Sequence, residues 1–208
     1  MIAQENKYHW YDGWFYDLFI APNQDKLFGK IGALIEPDKD IIDVGTGTGR
    51  FPFFTADRCK SVLGIDLSEK NILRANRNLS KNRNSKISFL HKNIDQIINE
   101  GKIQYDYAVM TYVIHEVNES ERIELLNKIF KVARKIIIGD YLFPRPKTPG
   151  SVLNEAVEFI AGREHYRNFK SYLKNGGLIG LAEVGGFKIV GQIKDEISTS
   201  HVIVIINK

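Results

Sequence analysis

Between Asp40 and Phe51 the chain reads DIIDVGTGTGRF, and these residue types at this spacing suit the holding of a ligand. Gly45, Gly47 and Gly49 directly follow an apolar run and lead into a helical pattern. Glycine tolerates positive φ and has no Cβ to keep a ligand off the backbone. The first turn of the helix offers unpaired N–H groups and a positive dipole end, which suit a carboxylate or a phosphate. Asp66 ends the next apolar run, a place from which a carboxylate grips ribose hydroxyls. The two signals together point to a nucleoside-containing ligand. A tight strand-to-helix turn with no ligand is the plainer alternative for the glycines alone.

The spacing is G-x-G-x-G, not the G-x-G-x-x-G of dinucleotide sites, and Asp43 stands two residues before the first glycine. A pyrophosphate gains little from a neighbouring carboxylate, whereas a ligand with an ammonium and a sulfonium gains more. That charge argument favours S-adenosylmethionine over NAD.

A second group of residues could act on whatever is brought to this ligand. His115 falls just beyond a later apolar run, on the ligand edge. It either serves as a general base or orients an acceptor, or it packs locally at the start of the next helix. Asp140 and Tyr141 end a further run on the same edge and are expected to touch an acceptor. Asp140 as a metal ligand would need more carboxylates nearby, and no such set stands out, so no metal is expected. Tyr8, Trp10, Tyr11, Trp14, Phe15 and Tyr16 crowd the N-terminal segment. They read either as an aromatic cap over the site, with Tyr11 and Tyr16 against the acceptor, or as rings packing a helix onto the sheet. A segment from Ser151 to Asn175, carrying His165, Tyr166 and Phe169, would form the facing wall.

The elements that must position these residues follow from hydrophobic periodicity. Strands are expected at Asp40–Val44, Ser61–Asp66, Ile87–His91, Tyr105–Tyr112 and Lys135–Gly139. Helices are expected at Arg50–Arg58, from a Ser68 N-cap to about Leu79 and at Glu119–Ala133, with a short helix or turn at Asp95–Glu100. Strand and helix in alternation argue for a parallel sheet covered on both faces. Beyond Pro149 the pattern gives helices at Ser151–Ala161, His165–Lys174 and Leu178–Val184, the last stopped by Gly185-Gly186. Phe187–Ile193 and Ser200–Ile206 then form an antiparallel hairpin. The fold class is therefore α/β, a Rossmann-like three-layer sandwich on a seven-stranded, mostly parallel sheet with a C-terminal antiparallel hairpin. A single domain over residues 1–208 is expected, with residues 1–30 as the aromatic cap and residues 151–175 as a helical insertion.

Composition narrows the class further. The 208 residues are 43% hydrophobic and 26% charged, which suits a folded globular domain and excludes a disordered chain. No apolar run is long enough to span a bilayer, and the polar, aromatic start lacks a signal core, so cytoplasmic residence is expected. The single cysteine, Cys59, excludes an internal disulfide and reads as a small buried hydrophobe. The net charge of +4 is mild. Its densest basic stretch, Arg74 to Lys86, reads as a solvated helix end and loop, so nucleic-acid binding is not expected.

These motifs together resemble the class I S-adenosylmethionine-dependent methyltransferases. The likeness runs from about Ile35 to Ile206 and is nearest to the small-molecule branch with the ubiquinone and menaquinone biosynthesis methyltransferases. DVGTGTG resembles the family's first motif and GIDLSEKNILRA its second. FLHKNID, YDYAVMTYVIHEV, KIIIGDYLFP and AEVGGFKIV follow in the family's order. The resemblance implies that Asp43 and the Gly45–Gly49 backbone, Thr46 included, hold the methionine end of the cofactor. It implies that Asp66 accepts from both ribose hydroxyls, that Leu67 packs on adenine, and that Ile94 gives adenine an N–H contact. Asn93 stands where the family often has Asp, and an amide oxygen can accept the same adenine hydrogen bond. Thr111 would lie beside the cofactor.

Methyl transfer from a sulfonium asks mainly for alignment and desolvation. The stretch Thr111 to Ile114 reads TYVI, not the NPPY-like tetrad of adenine and glutamine N-methyltransferases. A small organic or lipid-like acceptor is thus expected. An RNA methyltransferase, a non-catalytic cofactor-binding subunit and an NAD-dependent oxidoreductase are the rival readings.

Overall fold

The pleat of the central strands explains the layering. In a computed structural model that describes residues 21–101, 104–197 and 199–208, seven strands form one sheet in the order β3-β2-β1-β4-β5-β7-β6. They are β1 (Asp40–Val44), β2 (Ser61–Asp66), β3 (Ile87–His91), β4 (Tyr105–Thr111), β5 (Ala133–Tyr141), β6 (Lys188–Asp195) and β7 (Ser200–Ile206). Successive side chains point to opposite faces. Ile41, Tyr107, Val109, Ile137, Val202 and Val204 therefore join one core, while Ile42, Ala108, Met110, Ile136, Ile138, Ile203 and Ile205 join the other. Both faces are apolar, so both must be covered by helices.

One face is covered by α1 (Ala21–Leu34), α2 (Arg50–Thr55) and α3 (Glu69–Asn82), through Leu27, Phe28, Ile31, Phe51, Ile72 and Ala75. The other is covered by α4 (Ile94–Asn99), α5 (Arg122–Ile129), α7 (Arg163–Lys174) and α8 (Gly177–Gly185). A further helix, α6 (Pro149–Ala161), opens on a Thr148 hydroxyl that accepts from the Ser151 N–H and lies against α7. β1 to β5 are parallel, and β7 runs antiparallel to both β5 and β6. From β1 the chain builds outward to β2 and β3, then returns to add β4 and β5 on the other side. The point of reversal lies between β1 and β4, and the carboxyl ends there carry both Asp43 and Thr111.

The α/β class, the seven-stranded sheet and the terminal antiparallel hairpin agree with the sequence. Two helices are shorter than expected. Arg50–Arg58 divides into α2 and a 3-10 turn, Ala56–Arg58, and Glu119–Ala133 into a 3-10 turn, Glu119–Glu121, followed by α5. The second difference has a tertiary cause. Tyr105 pairs with Ala133, and the Tyr105 N–H donates to the Val132 carbonyl at 2.7 Å, so the end of the expected helix is drawn into the sheet. Helix α3 in turn runs three residues past the expected Leu79, until Arg83 takes a left-handed conformation. The N-terminal aromatics Tyr8 to Tyr16, with Tyr11 and Tyr16 among them, lie outside the described residues. From Ala21 onward the segment expected to cap the site is helix α1, and Leu27 and Ile31 pack on Gly139 of β5.

Candidate active site

The glycine loop is built by the ends of β1 and β2 together. The Gly45 and Thr46 N–H groups both donate to the Ile65 carbonyl, at 2.9 and 3.0 Å. The Gly47 N–H donates to Asp66 Oδ2 and the Ser68 N–H to Asp66 Oδ1, each at 2.8 Å. Asp66 thus ties the loop to β2. An ionised carboxylate offers about four lone-pair sites, so it retains acceptor capacity for a diol. Gly45, Gly47 and Gly49 all have positive φ, but their surroundings differ. A Cβ on Gly49 would lie 2.4 Å from Phe89 Cζ, and one on Gly45 would lie 2.5 Å from Val113 Cγ2. A Cβ on Gly47 would meet nothing within 4 Å. Gly45 and Gly49 are therefore glycines for packing, whereas Gly47 keeps backbone open.

Beneath this loop lies Asp43, 1% exposed, and neither of its carboxylate oxygens has a well-formed hydrogen bond. Burial pushes its pKa up to about 7; the Thr46 hydroxyl opposes the rise and the Asp66 charge adds to it. A buried carboxylate in this condition favours a cationic neighbour. The donor set fits S-adenosylmethionine: Asp43 for a positive charge, the open Gly47 backbone for close approach, and Asp66 for hydroxyls. A pyrophosphate would meet two carboxylates there.

The residues expected at adenine stand at the ends of β2 and β3. Leu67 is exposed and Ile94 is buried. His91 Nε2 meets the Leu67 carbonyl at 3.0 Å. Asn93 forms a capping box: its Oδ1 accepts from the Gln96 N–H and its own N–H donates to Gln96 Oε1, both at 2.9 Å. The Asn93 oxygen expected at adenine is thus already committed to the start of α4. Thr111 closes β4 opposite Gly139. Its neighbour Tyr112, at φ 55, turns the chain so that Val113 reaches Gly45.

Two residues farther on, His115 enters a second, buried cluster. Its Nδ1 lies 2.8 Å from Asp140 Oδ1, and its backbone N–H donates to Asp140 Oδ2 at 3.3 Å. Asp140 Oδ1 also accepts from the Tyr141 N–H at 2.7 Å. Asp140 is fully buried, with both oxygens taken, so it positions His115 where an acceptor contact was expected. The Tyr141 hydroxyl donates to Glu158 Oε1 at 2.6 Å. Glu158 Oε2 lies 3.5 Å from His115 Nε2 and also pairs with His165 Nε2. His115, Asp140, Tyr141 and His165 are therefore brought together. Tyr166 is not among them: it is half-buried, and its hydroxyl donates to Glu155 Oε1 at 2.8 Å.

Burial alone would lower the His115 pKa, but the Asp140 and Glu158 carboxylates overcome it and hold the imidazole well above its ordinary value. Burial alone would likewise raise Glu158, yet His115 and His165 hold it well below the usual carboxylate range.

Glu158 and Arg122 are the residues that sequence reasoning missed. Glu158 carried a signal, because it is an acid with apolar neighbours on both sides in AVEFIA. Arg122, also buried, donates Nε to the Val117 carbonyl at 3.0 Å and Nη2 to the Asn168 carbonyl at 2.7 Å. It thereby fixes α7, and with it His165, against the segment that follows β4.

Comparison with known proteins bears on the fold and on the domain that carries the loop. Residues 41–135, which contain the glycine loop, Asp66 and β4, match the family model described as a methyltransferase domain. An uncharacterized RNA methyltransferase of Mycoplasma mobile is 23% identical over 139 residues, a match covering 64% of this chain and 37% of that relative's length. Magnesium protoporphyrin IX methyltransferase from Synechocystis, crystallised with S-adenosylhomocysteine, superposes with a TM-score of 0.63 at 18% identity, covering 91% of this chain and 85% of that one. N-methyltransferase NodS from Bradyrhizobium japonicum, with the same compound bound, gives a TM-score of 0.64 at 14% identity, covering 94% and 92%. At such identities the two superpositions speak for the fold. The matched methyltransferase domain, residues 41–135, is thus seated on the glycine loop and on the strands that carry Asp43, Asp66 and Thr111.

Proposed function

We propose that this protein transfers a methyl group from S-adenosylmethionine to a small organic or lipid-like acceptor by in-line displacement. The observation that carries the proposal is Asp43, a buried carboxylate without a well-formed hydrogen bond under an open glycine backbone. S-adenosylmethionine, when bound, supplies a methyl group on a sulfonium whose positive charge already activates the leaving group. Asp43 pairs with the cationic methionine end, the Gly45–Gly49 backbone with Thr46 cradles it, and Asp66 accepts from the ribose hydroxyls. Leu67 and Ile94 flank adenine, the Asn93 side chain borders it, and Thr111 stands beside the sulfur. His115, held by Asp140, faces the acceptor side of the same sheet edge. Buried and held by Asp140 and Glu158, with its pKa raised, it shapes and orients the acceptor side in preference to taking a proton. Tyr141, His165 and Tyr166, with Tyr11 and Tyr16 of the N-terminal segment, are assigned to the acceptor side, and residues 151–175 form its wall within a single domain. Among the described residues no helix is long and apolar enough to cross a membrane, consistent with the cytoplasmic residence we assign.

The name of the Mycoplasma relative supports RNA as a second reading of the acceptor. The basic stretch from Arg74 to Lys86, exposed at Arg77, Lys81, Arg83 and Lys86, would be its contact surface. Incubation with tritiated S-adenosylmethionine and separate pools of small metabolites, lipids and RNA decides between them. Label in a small-molecule or lipid product is expected. Label in RNA would replace the first reading with the second, and no labelled product from any pool would contradict both.

A further inference from the structure

We propose that His115, Glu158 and His165 form a binding site for a divalent transition-metal ion of the zinc type. One ligand atom from each lies within 4.8 Å of the others, and all three side chains are buried. Two imidazoles and one carboxylate are a donor set zinc uses in open sites, where three protein ligands leave a fourth position for water or a substrate heteroatom. Around a tetrahedral ion with bonds of about 2.0–2.2 Å, the donors stand roughly 3.3–3.6 Å apart. His115 Nε2 and Glu158 Oε2 are already 3.5 Å apart. His115 Nε2 has no well-formed hydrogen bond within its buried surroundings, and Glu158 Oε2 lies between it and His165 Nε2, with which it pairs.

The surrounding contacts have the form that metal sites require. A metal-bound histidine donates its other ring N–H to a carboxylate, which fixes both tautomer and ring orientation. Asp140 Oδ1 stands in that place, 2.8 Å from His115 Nδ1. The Tyr141 hydroxyl, 2.6 Å from Glu158 Oε1, holds the second carboxylate oxygen and leaves Oε2 toward the histidines. Glu116 Oε1, 3.9 Å from His165 Nε2, adds a further nearby acid. These three residues are far apart along the chain. His115 follows β4, whereas Glu158 lies on α6 and His165 on α7, and only the docking of those helices on the sheet edge brings the three together.

The test is made on untagged full-length protein, stripped with chelator, dialysed and titrated with zinc chloride and with cobalt chloride in separate experiments. We expect about one zinc per chain to survive gel filtration, and the cobalt form to show visible ligand-field bands of low-symmetry coordination. His115→Ala and His165→Ala are each expected to abolish stoichiometric zinc binding. Asp140→Asn, a change at a positioning residue, is expected to weaken zinc binding by about 10–100-fold. Far-ultraviolet circular dichroism and the zinc-induced shift in melting temperature accompany each variant. A variant that folds without zinc and no longer shifts on its addition supports the site. Substoichiometric zinc in the wild type would overturn the proposal, as would cobalt bands unchanged in the His115→Ala/His165→Ala double variant. None of these readouts involves S-adenosylmethionine, so their failure leaves the methyl-transfer reading standing.

Discussion

Two buried carboxylates at the same edge of the sheet have opposite surroundings. Asp43, under the glycine loop, has no well-formed hydrogen bond, and its pKa is pushed up to about 7. Glu158, at the acceptor side, accepts from Tyr141, pairs with two histidines and is held below the ordinary range. Desolvation opposes the charge of both, and the difference lies in what the fold supplies in return. At Glu158 the chain neutralises itself. At Asp43 the fold supplies no such counter-charge.

The sharpest way to break this contrast is to make the same change, carboxylate to amide, in both places. Glu158→Gln removes the anion that two buried imidazoles face and should destabilise the fold by about 3–5 kcal/mol, read by urea denaturation at pH 7. Asp43→Asn should act in the opposite direction. A carboxyl group with a raised folded-state pKa binds more protons folded than unfolded, so its stabilising protonation is present at acid pH and lost as pH rises through the window from about 4 to about 7. The apo variant should therefore gain on the wild type across that window, approaching about 4 kcal/mol above it. Equal and like-signed effects of the two substitutions would erase the contrast.

A second comparison lies within the glycine-loop region. Asp66→Ala should cost about 2–4 kcal/mol in affinity for S-adenosylhomocysteine by calorimetry, because a charged partner of two hydroxyls is lost. An unchanged dissociation constant would place the ribose elsewhere. The smallest effect is expected at Gly47, where an added methyl meets no neighbour. Gly47→Ala should cost the fold only about 1–2 kcal/mol for its left-handed backbone, measured by thermal melting, while weakening the ligand. Gly49→Ala, driven against Phe89, should cost more.

The contrast also explains what could be read from the sequence. β1, β2, β3 and β7 have the expected bounds because each is an apolar run closed by local signals: the glycines after Val44, Asp66 before the Ser68 cap, the polar residues after His91 and Ile206. The geometry of the candidate glycine-loop site was legible for the same reason, since Asp43, Gly45, Gly47, Gly49 and Asp66 sit at adjoining strand ends and are placed by local turns. The limits of α5 were not, because they depend on Tyr105 pairing with Ala133 from another strand. The histidine cluster lay further out of reach. His115 and Asp140 could be placed on the correct edge, but the closure of Asp140 onto His115 and the arrival of Glu158 need the packing of α6 and α7, which Arg122 enforces through Asn168.

The central claim is that Asp43 and the glycine loop receive the cationic end of an adenosyl ligand. Calorimetric titration with S-adenosylhomocysteine at pH 7, in two buffers of different ionisation enthalpy, measures the protons released on binding. Because Asp43 is about half protonated at that pH and must ionise to face an ammonium group, one-site binding should release about half a proton per ligand, and Asp43→Asn should release none. No binding of S-adenosylhomocysteine, tight binding of NAD in its place, or proton release unchanged in Asp43→Asn would contradict the account.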